Sequence, residues 1–298
     1  LFRSGGAAQG AGRISRMKDE VMEVLAPGHV FFDYGPVSMV VSAMRGGVGD
    51  TDLCRSAFEI IDGCLKQMRP VLEVLRSYPE SVDPDALCGL PAVMARAVVA
   101  TGDQLLTPMA AVAGSVSDAV ADHLAAHGAE KAVANNGGDI AVRLADGQNL
   151  KLGVVYDLAA GTVSRTVCLT NRSGVGGVAT SGLGGRSLTT GIASGVTVFS
   201  ARCAEADALA TLLADRSCLD LPAVHTVLAG ELDSDSDIAD QQVVVGVDPL
   251  TEAEKEQALD QVMKEAKLQF GKGNLLACIA TVQGRTAVFD PNRILEES

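Results

Sequence analysis

Tight turns between short apolar segments constrain the fold of this chain more than any other feature. Three of them place glycine after a polar residue: Asn136-Gly137, Asp146-Gly147 and Gln283-Gly284. Such pairs favour hairpins, which join antiparallel strands. Segments with helical periodicity, such as residues 52–77 and 107–127, precede the first of these turns. Interspersed helices and hairpins predict an α+β fold with a mixed or antiparallel sheet and packed helices, rather than a doubly wound parallel sheet.

Composition and charge narrow the classes of partner. Hydrophobic residues make up 47 % of the chain and aromatic residues only 3 %, so an aliphatic core is expected. The formal net charge of −13 repels nucleic acid and anionic membranes, and neither is expected as a partner. Seven scattered cysteines without a Cys-x-x-Cys pair argue against a disulfide framework and a structural zinc site.

The ends of the chain and its hydropathy lead to two further expectations. Residues 1–28 contain a segment rich in glycine, alanine and serine and are predicted to form a flexible lead-in that is not a signal peptide. Residues 29–298 are predicted to form one domain. Reduced cysteines and the absence of an apolar run of about 18 residues favour a cytoplasmic protein.

The first candidate binding segment is Asn135-Asn136-Gly137-Gly138-Asp139, between two apolar strands. Its paired glycines are explained either by a turn that needs positive φ or by a ligand that approaches the backbone.

The second candidate segment runs from Thr180-Ser181-Gly182 through Leu183-Gly184-Gly185 to Arg186-Ser187. Consecutive N–H groups without bulky side chains can form an anion-binding nest, with the hydroxyls and Arg186 as further donors. The alternative is a surface loop. The segment contains neither a Walker A motif nor the strand–turn–helix context of a dinucleotide fingerprint.

The third candidate feature is the pair Asp207 and Thr211, four residues apart on a predicted helix. Their oxygen atoms share one helical face and suit Mg²⁺, which keeps several waters and often bridges to a substrate phosphate. The alternative is an aspartate in the first helical turn, with the threonine bonded to the preceding turn.

Two weaker patterns are not assigned to metal sites. His123 and His127 have the spacing of a zinc pair, but no Glu follows His123. Asp233, Asp235 and Asp237 alternate as in a calcium loop, but the required Gly and final Glu are missing, which favours a solvated acidic loop.

Taken together, these segments resemble the ApbE superfamily, the FAD:protein FMN transferases. The strings that carry the resemblance are Asn136-Gly137-Gly138-Asp139, Thr180-Ser181-Gly182 and Ala206-Asp207-Ala208-Leu209-Ala210-Thr211. The chain is more closely similar to an ApbE-like branch of bacteria and archaea, which shares Gly-Pro-Val-Ser-Met-Val near the start and Pro-Met-Ala-Ala-Val-Ala-Gly in a helix. The similarity extends over most of the chain from about residue 29.

The resemblance implies an ApbE-like fold with a ligand cleft in the middle, together with Mg²⁺ and FAD as cofactor and ligand or substrate. Asp207 and Thr211 would hold the metal, with a backbone carbonyl near Ala113 or Gly114 as a third ligand. The flavin nucleotide would contact Asn136, Gly137, Gly138 and Asp139 on one wall and Thr180, Ser181 and Gly182 on the other.

The chain departs from the family pattern at one segment. ApbE enzymes carry His-Ile-x-Asp-Pro-x-Thr-Gly where this chain has residues 186–193, without the histidine or the acid. The lysine that ApbE proteins have in the helix beginning at Pro108 is also missing.

Two functions therefore stay open: FMN transfer or cleavage of the FAD pyrophosphate, and binding of a flavin or other anionic ligand without chemistry. The resemblance also implies a nucleotide-like ligand, a protein acceptor and a homodimer.

Overall fold

The computed structural model describes residues 21–295. Its helices are α1 (Thr51–Met68), α2 (Leu72–Leu75), α3 (Gly89–Thr101), α4 (Val112–Ala126), α5 (Cys203–Asp215), α6 (Ala229–Leu232) and α7 (Glu252–Gly271). Its strands are β1 (Met22–Ala26), β2 (His29–Tyr34), β3 (Val37–Arg45), β4 (Val48–Gly49), β5 (Lys131–Asn136), β6 (Asp139–Leu144), β7 (Asn149–Val155), β8 (Val163–Thr170), β9 (Gly177–Ser181), β10 (Gly195–Ser200), β11 (Val224–Leu228), β12 (Gln242–Val247), β13 (Ala277–Val282) and β14 (Arg285–Phe289).

A ten-stranded sheet forms the centre of the molecule, in the order β1-β2-β3-β5-β6-β9-β10-β13-β14, with β4 beside β3. Strands β7 and β8 form a separate hairpin, and so do β11 and β12. Every strand pairing within the described residues is antiparallel. The predicted α+β fold with an antiparallel sheet and packed helices is confirmed.

The two faces of the sheet bury different cores. Helices cover one face, where alternate residues of the central strands, such as Ala134, Ala141, Ala179 and Val198, join the larger core. The intervening residues point to the other face and form a smaller core beneath the β7–β8 hairpin. The strand alternation therefore places Asn136, Asp139 and Ser181 on the helical face of the sheet.

Proline positions determine where two of the helices begin and end. Helix α1 ends at Met68, and the 3₁₀ turn Arg69–Val71 containing Pro70 separates it from α2. The side chain of Thr107 accepts a hydrogen bond from the N–H of Met109, and the 3₁₀ turn Pro108–Ala111 leads into α4.

Helix α5 lies unusually close to α4 and β9. A Cβ atom on Gly114 of α4 would stand 2.3 Å from the carbonyl oxygen of Cys203, and a Cβ on Gly177 of β9 would stand 2.2 Å from the Cys203 backbone. The small residue at position 114 therefore admits the backbone of another helix.

Ion pairs hold the start of α5 in place. The carboxylate of Asp118, which is 1 % exposed, accepts the N–H of Ala204 at 3.0 Å and pairs with Arg143 at 2.7 Å. Arg202, the residue before α5, pairs with Asp122 at 2.6 Å. These contacts fix the helix that carries Asp207 relative to α4.

Strands β1 and β9 were not predicted from the sequence. Strand β1 lies within the segment 1–28 assigned to a flexible lead-in, and that assignment is corrected for residues 22–26, which pair with β2. Residues 1–20 lie outside the described residues. Strand β9 was overlooked because the glycines in and around it suggested a loop, whereas Gly177 serves the close approach to α5.

No helix among residues 21–295 combines the length and the apolar character needed to cross a bilayer.

Candidate functional site

Two connected cavities lie between the helices and the sheet. The first has a volume of about 180 Å³ and the second about 340 Å³. Both are lined by Val112, Ala113, Asp139, Arg186 and Ser187, so these residues mark the junction of one continuous cleft.

The structure brings together nearly all of the predicted site residues at this cleft. The first cavity is lined by Ala113, Asn136, Gly137, Asp139, Thr180, Ser181 and Gly182, and the second by Ala113, Asp139, Asp207 and Thr211. Gly138 does not line either cavity. Its N–H donates to Asn135 Oδ1 at 2.9 Å, so it belongs to the turn itself.

Helices α4 and α5 cross closely at Gly114. Asp207 lies on the face of α5 that is turned toward the first turn of α4 at this crossing. Its Oδ2 accepts the N–H of Gly114 at 2.8 Å, and the N–H of Ala113 also points to the carboxylate. Burial raises the pKa of Asp207 well above its usual range, and the nearby charge of Asp139 raises it further. The two backbone N–H groups only partly offset these effects.

Asp139 faces the same region from the start of β6. The Ser117 hydroxyl of α4 donates to the Asp139 carbonyl at 2.9 Å and fixes the strand end. Burial raises the pKa of the Asp139 carboxyl to about 7, while the Thr180 N–H and the charge of Arg186 act in the opposite direction. Two carboxyl groups thus lie deep in the cleft, near each other.

Neither carboxyl group has a cation within ion-pair distance among residues 21–295. Two ionised carboxylates in such a position repel each other and are poorly solvated, which a divalent cation would relieve. Thr211 supplies a third oxygen atom on the same wall of the second cavity. All three donors are hard oxygen ligands of the type that Mg²⁺ prefers.

The donor set is small for a metal held by protein alone. No group of three or more His, Cys, Asp or Glu side chains in the described part of the chain could hold a metal ion. Mg²⁺ commonly takes one or two carboxylates and completes its shell with water and substrate phosphate. The residues present therefore fit Mg²⁺ bound together with an anionic ligand.

Two predicted contacts differ in detail from expectation. The Thr211 hydroxyl donates to the carbonyl of Asp207 at 3.2 Å, which is the alternative that the sequence left open. Ala113 meets Asp207 through its N–H, whereas its carbonyl oxygen was the predicted metal ligand. Both residues still line the second cavity.

The side chain of Asn136 has an unused hydrogen-bonding capacity. It is 8 % exposed, lines the first cavity, and its amide group has no hydrogen-bond partner among residues 21–295. The amide lines the cavity, so a ligand in the first cavity could pair with it. The amide can donate and accept at the edge of a polar ring.

The glycine loop after β9 is not an open nest of N–H groups. The N–H of Leu183 donates to the Ala193 carbonyl at 2.8 Å, and that of Gly185 donates to the Gly182 carbonyl at 3.1 Å. The Thr180 hydroxyl bonds to Thr197 at 2.9 Å on the opposite face of the sheet. The predicted anion nest is corrected for these groups, and Ser181 and Arg186 stay available to a ligand.

The segment that replaces the histidine string of ApbE enzymes packs against the end of α5. Asp215 accepts the Thr190 N–H at 2.9 Å and the Thr189 hydroxyl at 3.1 Å. Ser217 Oγ accepts the N–H groups of Ile192 and Ala193. These contacts engage the polar groups of the segment in structural bonds.

Sequence reasoning missed the outer wall of the second cavity. Asp233, Asp235 and Asp237 line it, although their spacing indicated only a solvated loop. The Thr107 hydroxyl donates to Asp237 across the cavity. No sequence signal links this loop to Asp207, because the two are far apart in the chain.

The carboxyl groups predict a pH-dependent affinity for Mg²⁺. The pKa of Asp139 is raised to about 7 in the folded state. Between the pKa of this group in the unfolded chain and about pH 7, the metal-free folded protein therefore binds more protons than the unfolded chain does. Its stability falls as pH rises through that range. Protons compete with the cation, so Mg²⁺ should raise the melting temperature more at about pH 8 than at about pH 5.5. Thermal unfolding with and without Mg²⁺ would measure this. Asp139→Asn should flatten the dependence, and an Mg²⁺ effect that grows as pH falls would contradict the assignment.

The amino-acid sequence is similar to those of known proteins. A family model described as AbpE bacteria matches residues 22–288. A UPF0280 protein of Methanothermobacter thermautotrophicus is 32 % identical over 189 residues, covering 61 % of this chain and 72 % of that protein. A UPF0280 protein of Methanococcus aeolicus is 33 % identical over 147 residues, covering 47 % of this chain and 55 % of that protein.

Solved structures share the fold at low sequence identity. The ApbE protein of Thermotoga maritima has a TM-score of 0.55 at 12 % identity, covering 89 % of this chain and 98 % of that one. The flavinyl transferase ApbE of Pseudomonas stutzeri, in its apo form, has a TM-score of 0.50 at 13 % identity, covering 93 % of this chain and 100 % of that one.

Proposed function

The chain belongs to the AbpE bacteria family, and we propose that it binds a flavin nucleotide, or a similar ligand with a pyrophosphate group, together with Mg²⁺. The family resemblance and the ApbE-like fold expected from the sequence are confirmed. The observation that carries the proposal is the pair of buried carboxyl groups, Asp139 at the junction of the two cavities and Asp207 in the second cavity, neither with a cation partner among the described residues.

The two cavities suit the two ends of a dinucleotide. The first combines apolar side chains, including Val37, Leu65 and Met68, with the unpaired amide of Asn136, as a flat ring with polar edges requires. The second cavity carries more charged side chains than the first, among them Asp207, Asp215 and the acidic residues 233, 235 and 237. A ligand that occupies both cavities has its connecting phosphates at the junction, beside the carboxyl pair.

Each polar group in or beside the junction has a defined role in this proposal. Asp207, Asp139 and the Thr211 hydroxyl would hold Mg²⁺, which supplies charge stabilisation at phosphoryl oxygens when bound. The N–H groups of Ala113 and Gly114 orient the Asp207 carboxylate, and Ser117 fixes the strand end that carries Asp139. Asn136 orients the ring in the first cavity.

A second candidate function is cleavage of the FAD pyrophosphate, with FMN passed to a threonine or serine of a protein acceptor. The position of the carboxyl pair where a pyrophosphate would cross between the cavities favours it. Against it stands the segment 189–193, which offers no histidine or acid and whose polar groups are engaged with Asp215 and Ser217. Binding without chemistry is therefore the function that the site supports best.

The test is a titration of the purified protein with FAD, followed by flavin fluorescence, in Mg²⁺ and in EDTA. We expect saturable FAD binding in Mg²⁺ and a large loss of affinity in EDTA. Chromatography of the same mixtures distinguishes the two candidates, because cleavage releases AMP whereas binding returns intact FAD. Absence of Mg²⁺-dependent binding of FAD, FMN and ADP alike would refute the proposal.

A further inference from the structure

Arg186 is the one cationic side chain among the described residues that line the two cavities. The same lining contains six carboxyl groups: Asp139, Asp207, Asp215, Asp233, Asp235 and Asp237. An anionic ligand is therefore repelled by most of the cleft, as well as by a chain of formal net charge −13. A phosphate group at the junction needs a positive partner of its own in addition to any bound cation.

The guanidinium of Arg186 lies against the turn between β5 and β6. Its Nη1 atom is 2.9 Å from the place where a Cβ atom on Gly137 would stand. Gly137 has a φ of +70°, so glycine is favoured there by the backbone as well as by the space that the guanidinium occupies. This position brings the guanidinium to the edge of the first cavity, next to Asp139.

The donors of Arg186 are not used by the protein. Within residues 21–295 its guanidinium forms no hydrogen bond and no ion pair, although its charge favours the ionised form of Asp139. Arg143 and Arg202, by contrast, are both bound to Asp118 and Asp122. A guanidinium with free donors suits bidentate binding of a phosphate.

We infer that Arg186 makes this cleft selective for ligands with two linked phosphate groups, one beside the cation at Asp139 and Asp207 and the other at its guanidinium. The inference rests on the proposed function and specifies its ligand class. A single phosphate satisfies only one of the two positive partners. A ring compound without phosphate satisfies neither.

The experiment uses inorganic pyrophosphate and inorganic phosphate as probes, measured by calorimetry in excess Mg²⁺. The wild type should bind pyrophosphate more tightly than phosphate. Arg186→Gln should weaken pyrophosphate binding by about 10- to 100-fold, since a hydrogen-bonded charged partner is lost, and should remove most of the preference. Arg186→Lys should retain part of the affinity, because it keeps the charge but not the planar fork.

Arg172→Gln is the matched control, since Arg172 is exposed on the turn after β8 and lines neither cavity. It should bind pyrophosphate as the wild type does. The rise in melting temperature caused by Mg²⁺ alone should persist in Arg186→Gln, which shows that the variant is folded and keeps its cation site.

Each other outcome is decisive. Equal pyrophosphate affinity in Arg186→Gln and the wild type overturns the inference but leaves the flavin proposal standing, if FAD still binds with Mg²⁺. Pyrophosphate binding that depends on Arg186, in a protein that ignores FAD, supports the inference and refutes the flavin proposal. A wild type that binds neither probe nor FAD overturns both.

Discussion

Asp207→Asn should reduce Mg²⁺-dependent binding of FAD by about 100-fold or more, since loss of even a supporting group of a metal site costs 10- to 100-fold. The asparagine keeps an oxygen that can accept the Gly114 N–H, so the helix contact is preserved. It removes the negative charge that attracts the cation. Calorimetric titration of Mg²⁺ and fluorescence titration of FAD would measure the two losses separately.

The same variant should be at least as stable as the wild type without Mg²⁺ near neutral pH. Because burial raises the pKa of Asp207, ionising it costs stability, and asparagine avoids that cost. Asp52→Asn, the same change at an exposed position in the first turn of α1, is the matched control; it should leave binding unchanged and lower the stability by no more than about 1 kcal/mol, the usual contribution of an acid at a helix N-terminus. An Mg²⁺ titration of Asp207→Asn that matches the wild type would refute the cation site.

Gly114→Ala should lower the free energy of unfolding by about 3 kcal/mol or more, at the upper end of overpacking effects. The added Cβ would stand 2.3 Å from the Cys203 carbonyl oxygen and 2.8 Å from Cβ of Asp207. Both neighbours belong to α5, so the helices must separate and Asp207 must move from the start of α4. Denaturant unfolding would give the loss of stability, and the Mg²⁺ affinity should fall with it.

Gly63→Ala is the matched comparison, with the opposite sign expected. Gly63 lies inside α1, and a Cβ atom there meets nothing within 4 Å. Alanine is the better helix former, so this variant should gain about 0.5–1 kcal/mol. If both substitutions changed the stability equally, close packing at Gly114 would not be the cause.

The fold was predictable where the sequence pattern is local. Pro70 divides the first helix, and Thr251 and Glu254 form the capping box at the start of α7. Strand β9 was not predictable because Gly177 is glycine for a tertiary reason, the approach of Cys203, and this reason is invisible from neighbouring residues. Strand β1 is stabilised mainly by pairing with β2, which propensity alone does not reveal.

The candidate site was predictable as a set of segments and not as a set of contacts. Asp139, Ser181 and Asp207 were identified from three separate strings, and the fold brings them to one cleft. The Asp207 contact with the start of α4 depends on how two helices cross. The acidic wall from Asp233 to Asp237 depends on a loop that packs against Thr107, which neither spacing nor composition encodes.

The two glycines that contact Cys203 have a consequence for how a ligand exchanges with solvent. The start of α5 is packed closely between Gly114 and Gly177, where a Cβ atom would not fit, so we expect little sliding or tilting of the helix at this crossing. Opening and closing of the cleft must then come from movement at its edges, in the chain around Arg186 and in the loop from Asp233 to Asp237. Helix α5, which carries Asp207, stays fixed while the loops at the two edges of the cleft move apart and together.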